Sequence, residues 1–407
     1  MTKQGFGKLA TLPEAFDIIE NILPKIEDEN VPIERSNGRI LSEDIITEVN
    51  VPSFRKSAMD GFAIIAEDSY GASNNNSKKL KIIESVTAGI VPKKDLKPSE
   101  CIEITTGAPL PKSATAVLMV EFTEKKSNDE IIYYKTCAPN ENVIQIGSDI
   151  KKDQILFKKG TKLNPRFLGA IAAIGKNDIL VKKKPKIAYF STGNEIIDSG
   201  DELVEGKVYD INTRTIVDSL KEHPCIVNNL GVVKDDLQLI KKTITDNINE
   251  VDILLLSGGS SLGGEDFMVE AVKELGEVLV HGIAAKPGKP VLIGKVKDKL
   301  VLGLPGYPTS ALSNTYSLVI PVLYNLLGSK LIPIKTKMKL SRKIASTIGR
   351  YEFLAVKIDE NYAVPVMKGS SSITTLSEAD GYICIDENTE VVNKDDIVEV
   401  NIFWIPK

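Results

Sequence analysis

Between about residues 185 and 328 the chain alternates short apolar runs with amphipathic stretches of helical period, and this alternation limits the fold more than any other feature. KIAYF (186–190) reads as a buried strand, INTRTIVDSLKEH (211–223) as a helix, CIVNNLGVV (225–233) as a strand and DDLQLIKKTITDNI (235–248) as a helix. VDILLLSGG (251–259) is the clearest strand, an apolar run emptying into a glycine-rich loop, and EDFMVEAVKEL (265–275) follows as a helix. β-prone pieces at 277–284, 290–296 and 300–304 lead to GLPGYPTS and a last apolar helix at about 309–327. Strands separated by helices predict a mostly parallel sheet covered on both faces, with ligands bound beyond the C-terminal strand ends.

The flanking sequence has a different texture. Thr11 can cap a helix with Pro13 and Glu14 in its first turn and Ile18, Ile19, Ile22 and Leu23 at helical spacing. From about 39 to 145, short β-prone pieces are broken by Pro/Gly turns and by GASNNNSKK (71–79), a polar surface loop. NPRFLGAIAAIG (164–175) predicts a helix ending at Gly175, and from about 331 the chain returns to short strands that suit a small barrel or sandwich. At about 150 residues per domain, 407 residues suggest two to four domains.

Composition excludes several classes. Lys plus Arg is 51 and Asp plus Glu 55, a net charge of −4, so nothing draws the chain strongly to nucleic acid or anionic lipid. Cys101, Cys137, Cys225 and Cys384 lie far apart with no CxxC pair, which points to a reducing compartment rather than to disulfides or thiolate zinc. His223 and His281 are the only imidazoles, too few for a multi-histidine metal centre. The N-terminus lacks the apolar run of a signal peptide, and no 18-residue apolar stretch occurs, so the expectation is a soluble cytoplasmic protein without membrane contact.

Chemistry is concentrated in the loops. FSTGNEI supplies Ser191, Thr192, Gly193, Asn194 and Glu195, and LSGGSSLGGEDF supplies Ser257, Gly258, Gly259, Ser260, Ser261 and Asp266. KPGKP adds Lys286 and Lys289, and GLPGYPTSA adds Pro305 and Gly306. Glycines after strands let backbone N–H groups approach an anion. Neither GxGxxG nor GxxxxGK[ST] occurs, so the ligand is phosphate-bearing without being a conventional dinucleotide or P-loop nucleotide. Glu195 and Asp266 would repel phosphate unless a divalent cation lay between, although Asp266 also suits a helix cap. Outside this unit, SAMDGFAI places Asp60 before Gly61 in a tight turn, and TTGAPLPKSATAVLM holds Thr106 in a rigid Pro/Gly loop; each is a turn or part of a preorganised site.

Taken together, these motifs resemble the molybdopterin molybdenumtransferase family, the last-step enzymes of molybdenum cofactor assembly related to the E domain of gephyrin. The resemblance runs in order through SAMDGFA (57–63), TTGAPLPKSATAVLMVE (105–121), FSTGNEI, YDINTRTI (209–216), LLSGGSSLGGEDF, HGIAAKPGKPVLIG (281–294), GLPGYPTSAL, GRYEF (349–353) and LSEADGYI (376–383). It implies a multidomain α/β plus β chain. A helical connecting domain would comprise 1–40 plus 145–182, an inserted β-rich domain 41–144, a three-layer α/β molybdopterin-binding domain 183–328 and a C-terminal β-barrel 329–407. It further implies a homodimer with a composite active cleft, and transient contact with other cofactor-assembly or acceptor proteins. The implied reaction inserts molybdate, or tungstate, into adenylylated molybdopterin with Mg²⁺ and releases AMP.

By the same resemblance Asp60 would line the cleft, Thr106 would belong to the TGAP loop, and Asp149 would match the family's acid after Gly147. Glu195 and Asp266 would hold Mg²⁺, Lys286 and Lys289 would meet phosphate or oxyanion, and Ser370 and Ser371 would form a serine-rich loop near the cleft. The chain departs from the family pattern at Asn194, Ser260, Tyr307, Ile144, Ser148 and Ile211. Asn194 and Tyr307 keep open one alternative, a catalytically weak pterin-phosphate binding or scaffold protein; another, a nucleotide or cofactor phosphohydrolase on a related α/β domain, would leave the SAMDG and C-terminal motifs unexplained.

Overall fold

The computed structural model describes residues 8–258, 266–369 and 371–403. It divides into two compact units, one formed by residues 1–42, 160–164 and 179–407 and the other by 43–159 and 165–178.

In the larger unit a six-stranded sheet has the spatial order Ile226–Val233, Lys186–Thr192, Ile253–Gly258, Lys299–Leu304, Leu292–Val296, Glu277–His281. The first four strands are parallel. Leu292–Val296 runs antiparallel to both of its neighbours, so Glu277–His281 at the edge again points the same way as the first four; the apolar pattern could not distinguish this reversal because Leu292–Val296 is nearly as buried as the parallel strands. Alternation along the strands divides two cores. Ile187, Tyr189, Ile253, Leu255 and Leu302 pack with Ile216 and Leu220 of the helix Asn212–Lys221 and with the 308–326 helical stretch. Ala188, Phe190, Leu254, Leu256 and Val301 pack with Ile240 and Ile244 of Leu237–Asn247 and with Met268 and Val272 of Phe267–Leu275. Each face is therefore covered, as a strand apolar on both sides requires.

The expected final helix is one continuous path in three parts: Pro308–Asn314, a π turn over Thr315–Val319, and Ile320–Leu326. Pro321 explains the break, because a proline lacks the N–H and its ring crowds the preceding turn, and a widened turn accommodates both. At the N-terminus Thr11 caps Leu12–Glu20 in a reciprocal capping box with Glu14, as its sequence predicts.

The C-terminal strands close on themselves. Tyr351–Asp359 pairs with Tyr362–Pro365 and Gly381–Ile385, while Lys335–Leu340 joins Tyr362–Pro365 to Ile397–Ile402, which returns to Gly381–Ile385. This is a closed five-stranded barrel around Leu340, Leu354, Val356, Ile383 and Val400.

The second unit carries a mixed six-stranded sheet in the order Ala116–Met119, Gly61–Ile64, Glu100–Ile104, Lys78–Val86, Glu130–Tyr133, Thr123–Ser127. Apolar side chains fill both of its faces, Phe62, Leu118 and Tyr133 on one and Ala63, Ile102 and Val117 on the other. The expected helix is present as Pro165–Ala173, with Phe167 against Phe157.

Candidate active site

The four parallel strands end at Thr192, Val233, Gly258 and Leu304, so the loops that follow share one rim. Close backbone approach holds this rim together. A Cβ at Gly258, whose φ is +127°, would lie 2.0 Å from the Thr192 carbonyl oxygen, and one at Gly306 would lie 3.5 Å from the Gly258 Cα. Pro305 is buried beside Gly306. Glycine is thus required at Gly258 by both conformation and contact.

Beneath the rim lies a buried polar network. The Tyr189 hydroxyl is 3.0 Å from Ser191 Oγ and 2.6 Å from Ser257 Oγ, and burial pushes its pKa up. Ser191 Oγ donates to the Asp210 carboxylate at 3.1 Å, which also accepts from the Thr213 N–H and hydroxyl. Asn212 Nδ2 donates to Ser257 Oγ at 3.2 Å and to the Gly306 carbonyl at 2.9 Å, while its Oδ1 is buried without a partner. These bonds lock strands, helix start and the Gly306 loop into one rigid floor.

Carboxylates come from the loops beyond the strands. Asp235, following the 226–233 strand, accepts from Thr192 Oγ1 at 3.2 Å, and its N–H donates to Asn194 Oδ1 at 3.3 Å. Burial raises its pKa, the Thr192 hydrogen bond opposes this, and the charges of Glu195 and Asp266 add to the rise. Asp235 was missed in the sequence, where KDD reads as a helix start. Its signal was positional: it follows a parallel strand just as Glu195 does.

Asp266 caps the 267–275 helix, with Oδ1 accepting from the Val269 N–H at 3.2 Å, and its other oxygen lies 3.7 Å from His281 Nε2. One side chain thus caps the helix with one oxygen and acts by its charge on Asp235. Among the described residues no group of three or more acids, histidines or cysteines is gathered tightly enough to hold a metal unaided. That donor set still fits Mg²⁺, which is commonly bound through one or two carboxylates plus substrate phosphates rather than in an all-protein cage.

Lys286 pairs with the buried Glu352 at 3.0 Å, and Lys289 lies three residues on, half-buried. Gly193 is buried in its loop. Tyr307 stands 60% exposed and so does not fill the interior of the rim. Ser371 is exposed in the loop whose Ser372 carbonyl accepts from Thr309 Oγ1 at 2.7 Å, next to the start of the 308–314 helix. Gly259, Ser260, Ser261 and Ser370 lie outside the described residues.

In the second unit, two motifs far apart in sequence meet. Asp60 accepts from the Thr106 N–H at 2.6 Å and the Thr106 hydroxyl at 3.0 Å, and these bonds lower its pKa, the backbone bond most. Asp149 is exposed, with its N–H donating to the Val51 carbonyl at 3.1 Å; among the described residues no hydrogen bond joins it to Asp60 or Thr106.

The chain matches family models along most of its length: the MoeA N-terminal region (domain I and II) over residues 10–175, a probable molybdopterin binding domain over 195–325, and the MoeA C-terminal region (domain IV) over 337–403. A protein assigned to molybdopterin biosynthesis in Methanocaldococcus jannaschii is 36% identical, covering 96% of this chain and 98% of its own length. A molybdopterin molybdenumtransferase of Staphylococcus aureus is 32% identical over 78% of this chain and 75% of its own length. A solved molybdopterin biosynthesis moeA protein from Pyrococcus horikoshii OT3 superposes with a TM-score of 0.85 at 31% identity, covering 97% of this chain and all of the other.

Proposed function

Because the chain belongs to the molybdopterin molybdenumtransferase family and is a transferase of molybdenum cofactor biosynthesis, we propose that it inserts molybdate into adenylylated molybdopterin with Mg²⁺ and releases AMP. The observation that carries this reading is the rim where four parallel strands end, on which Asp235 accepts from Thr192 Oγ1 and Asp266 caps the helix that follows, with a basic loop in the same unit. Carboxylates on the loops beyond parallel strands suit a site completed by a cation and a phosphorylated ligand.

Glu195, Asp235 and Asp266 would hold Mg²⁺, which supplies Lewis-acid polarisation of a phosphoryl oxygen. Ser191 and Ser257, fixed by Tyr189 and Asp210, keep the floor preorganised, so the loop backbone at Thr192, Gly193, Gly258 and Gly306 meets the substrate without reordering. Lys286 and Lys289 would offset the charge of molybdate and of the departing AMP. Asp60, its carboxyl held below the usual range by Thr106, and Asp149 would also belong to the substrate-binding machinery.

We read the chain as four domains, 1–40 plus 145–182, 41–144, 183–328 and 329–407, in a cytoplasmic homodimer whose cleft is composite and which passes its product to acceptor proteins by transient contact. No helix among the described residues is long and apolar enough to cross a membrane. Light scattering should give twice 44.4 kDa; a single-chain mass at micromolar protein refutes the dimer. The functional test is AMP release from adenylylated molybdopterin. A transferase releases AMP only with molybdate, a phosphohydrolase releases it without molybdate, and a binding protein releases none.

A further inference from the structure

The loop that carries the two lysines is not a free turn. Ala285–Lys286 pairs in parallel with the barrel strand Tyr351–Asp359, and Lys286 stands in register with Glu352. Their side chains meet at 3.0 Å, the Glu352 side chain only 5% exposed and that of Lys286 41% exposed. The other Glu352 oxygen accepts from Ser346 Oγ at 2.9 Å. Two residues further on, Asn314 Nδ2 donates to the Gly288 carbonyl at 3.0 Å, and a Cβ at Gly288 would lie 2.1 Å from that nitrogen.

A buried carboxylate must keep its partners, because leaving it unpaired exposes the full cost of its desolvation. Lys286 is therefore held on the barrel side by Glu352, while its side chain stays 41% exposed. The same carboxylate opposes any anion that approaches that ammonium, and in a partly buried place the opposition is weakly screened. One contact thus fixes the lysine in space and moderates its grip.

We propose that Glu352 is a positioning residue for an oxyanion subsite at Lys286: it holds the ammonium at the end of the 285–286 strand and, through its own charge, limits how tightly a tetrahedral oxyanion binds there. The bound oxyanion then remains transferable. This rests on Lys286 meeting the oxyanion, and the test separates the two claims.

Molybdate binding by titration calorimetry and kcat for AMP release are measured on the full chain and its variants. Lys286→Ala should weaken molybdate about tenfold or more; unchanged affinity removes the subsite itself. With that loss in hand, Glu352→Gln should bind molybdate roughly three- to tenfold more tightly, because one opposing charge is gone. Its kcat should fall, because the lysine is no longer fixed. Unchanged affinity overturns the proposal, and so does a joint loss of affinity and kcat, the pattern of mere structural support. Glu352→Asp retains the charge but shortens the reach, so it should keep the parent molybdate affinity within about twofold and lower kcat. If the Gln variant does not fold, the Asp variant decides: a parent-like kcat overturns the proposal.

Discussion

Asp266→Asn separates two jobs that one side chain performs. As a helix cap, Asp266 gives a single oxygen to the Val269 N–H at 3.2 Å, and asparagine offers an oxygen in the same place. Asn and Asp cap almost equally well, so only the charge–dipole contribution is lost, about 0.3–1 kcal/mol. Asp266→Ala removes the cap as well and should cost about 1 kcal/mol more. As a member of the acid cluster, Asp266 raises the pKa of Asp235 through its charge. The amide removes that charge, so the Asp235 pKa should fall toward its ordinary value. The same loss should weaken Mg²⁺ by about 1.5–3 kcal/mol, the size of a charge-assisted contact, which is roughly ten- to a hundredfold in the Mg²⁺ midpoint. Urea unfolding reads the first effect, a carboxyl NMR titration the second, and a Mg²⁺ titration of AMP release the third. Identical turnover and identical Mg²⁺ midpoints in parent and Asn variant would refute the metal role and leave only the cap. Equal stabilities of the Asn and Ala variants would refute the cap.

Two further outcomes test the scaffold. Gly258→Ala drives a Cβ to 2.0 Å from the Thr192 carbonyl oxygen at a φ of +127°, so unfolding in urea should show a loss of about 3 kcal/mol or more, and a loss below about 1 kcal/mol refutes the backbone contact. Burial, aided by the Lys162 charge, lowers the His223 pKa from 6.5 to about 4, so the fold holds this imidazole neutral while the unfolded chain protonates it. Stability from this group is therefore present above pH 6.5 and lost as pH falls toward 4, up to about 3 kcal/mol. His223→Gln should flatten that slope in unfolding experiments at pH 7 and pH 4.5, and an unaltered slope refutes the assignment.

The sequence made the α/β sheet legible because strands such as Leu254–Leu256 are apolar on both sides and can exist only beneath two helical layers. The reversed direction of Leu292–Val296 was not legible, since burial alone carries no polarity of the chain. At the candidate site, glycine and acid positions after strands could be read directly, yet Asp235 was hidden because its KDD neighbourhood equally serves a helix start, a role that Asp236 in fact performs by accepting from the Leu239 N–H. The meeting of Asp60 with Thr106, 46 positions apart, depends on how Gly61–Ile64 and Glu100–Ile104 pair. Likewise, a two-residue strand at Ala285–Lys286 has no periodicity to detect, so the buried partner of Lys286 emerged only from tertiary register.

The π turn at Thr315–Val319 gives the 308–326 helical path two independent phases. Each α-helical residue advances the side-chain direction by about 100°, so one extra residue within a turn rotates everything downstream relative to everything upstream. Upstream, Thr309 reaches the Ser372 carbonyl and Asn314 the Gly288 carbonyl, while downstream Val322, Leu323 and Leu326 sit in the apolar core. An uninterrupted α-helix would tie those two orientations together. Here the polar end can keep its angle toward the loops while the apolar end settles into its own best packing, so a substitution in the core need not be transmitted as a twist at the loops.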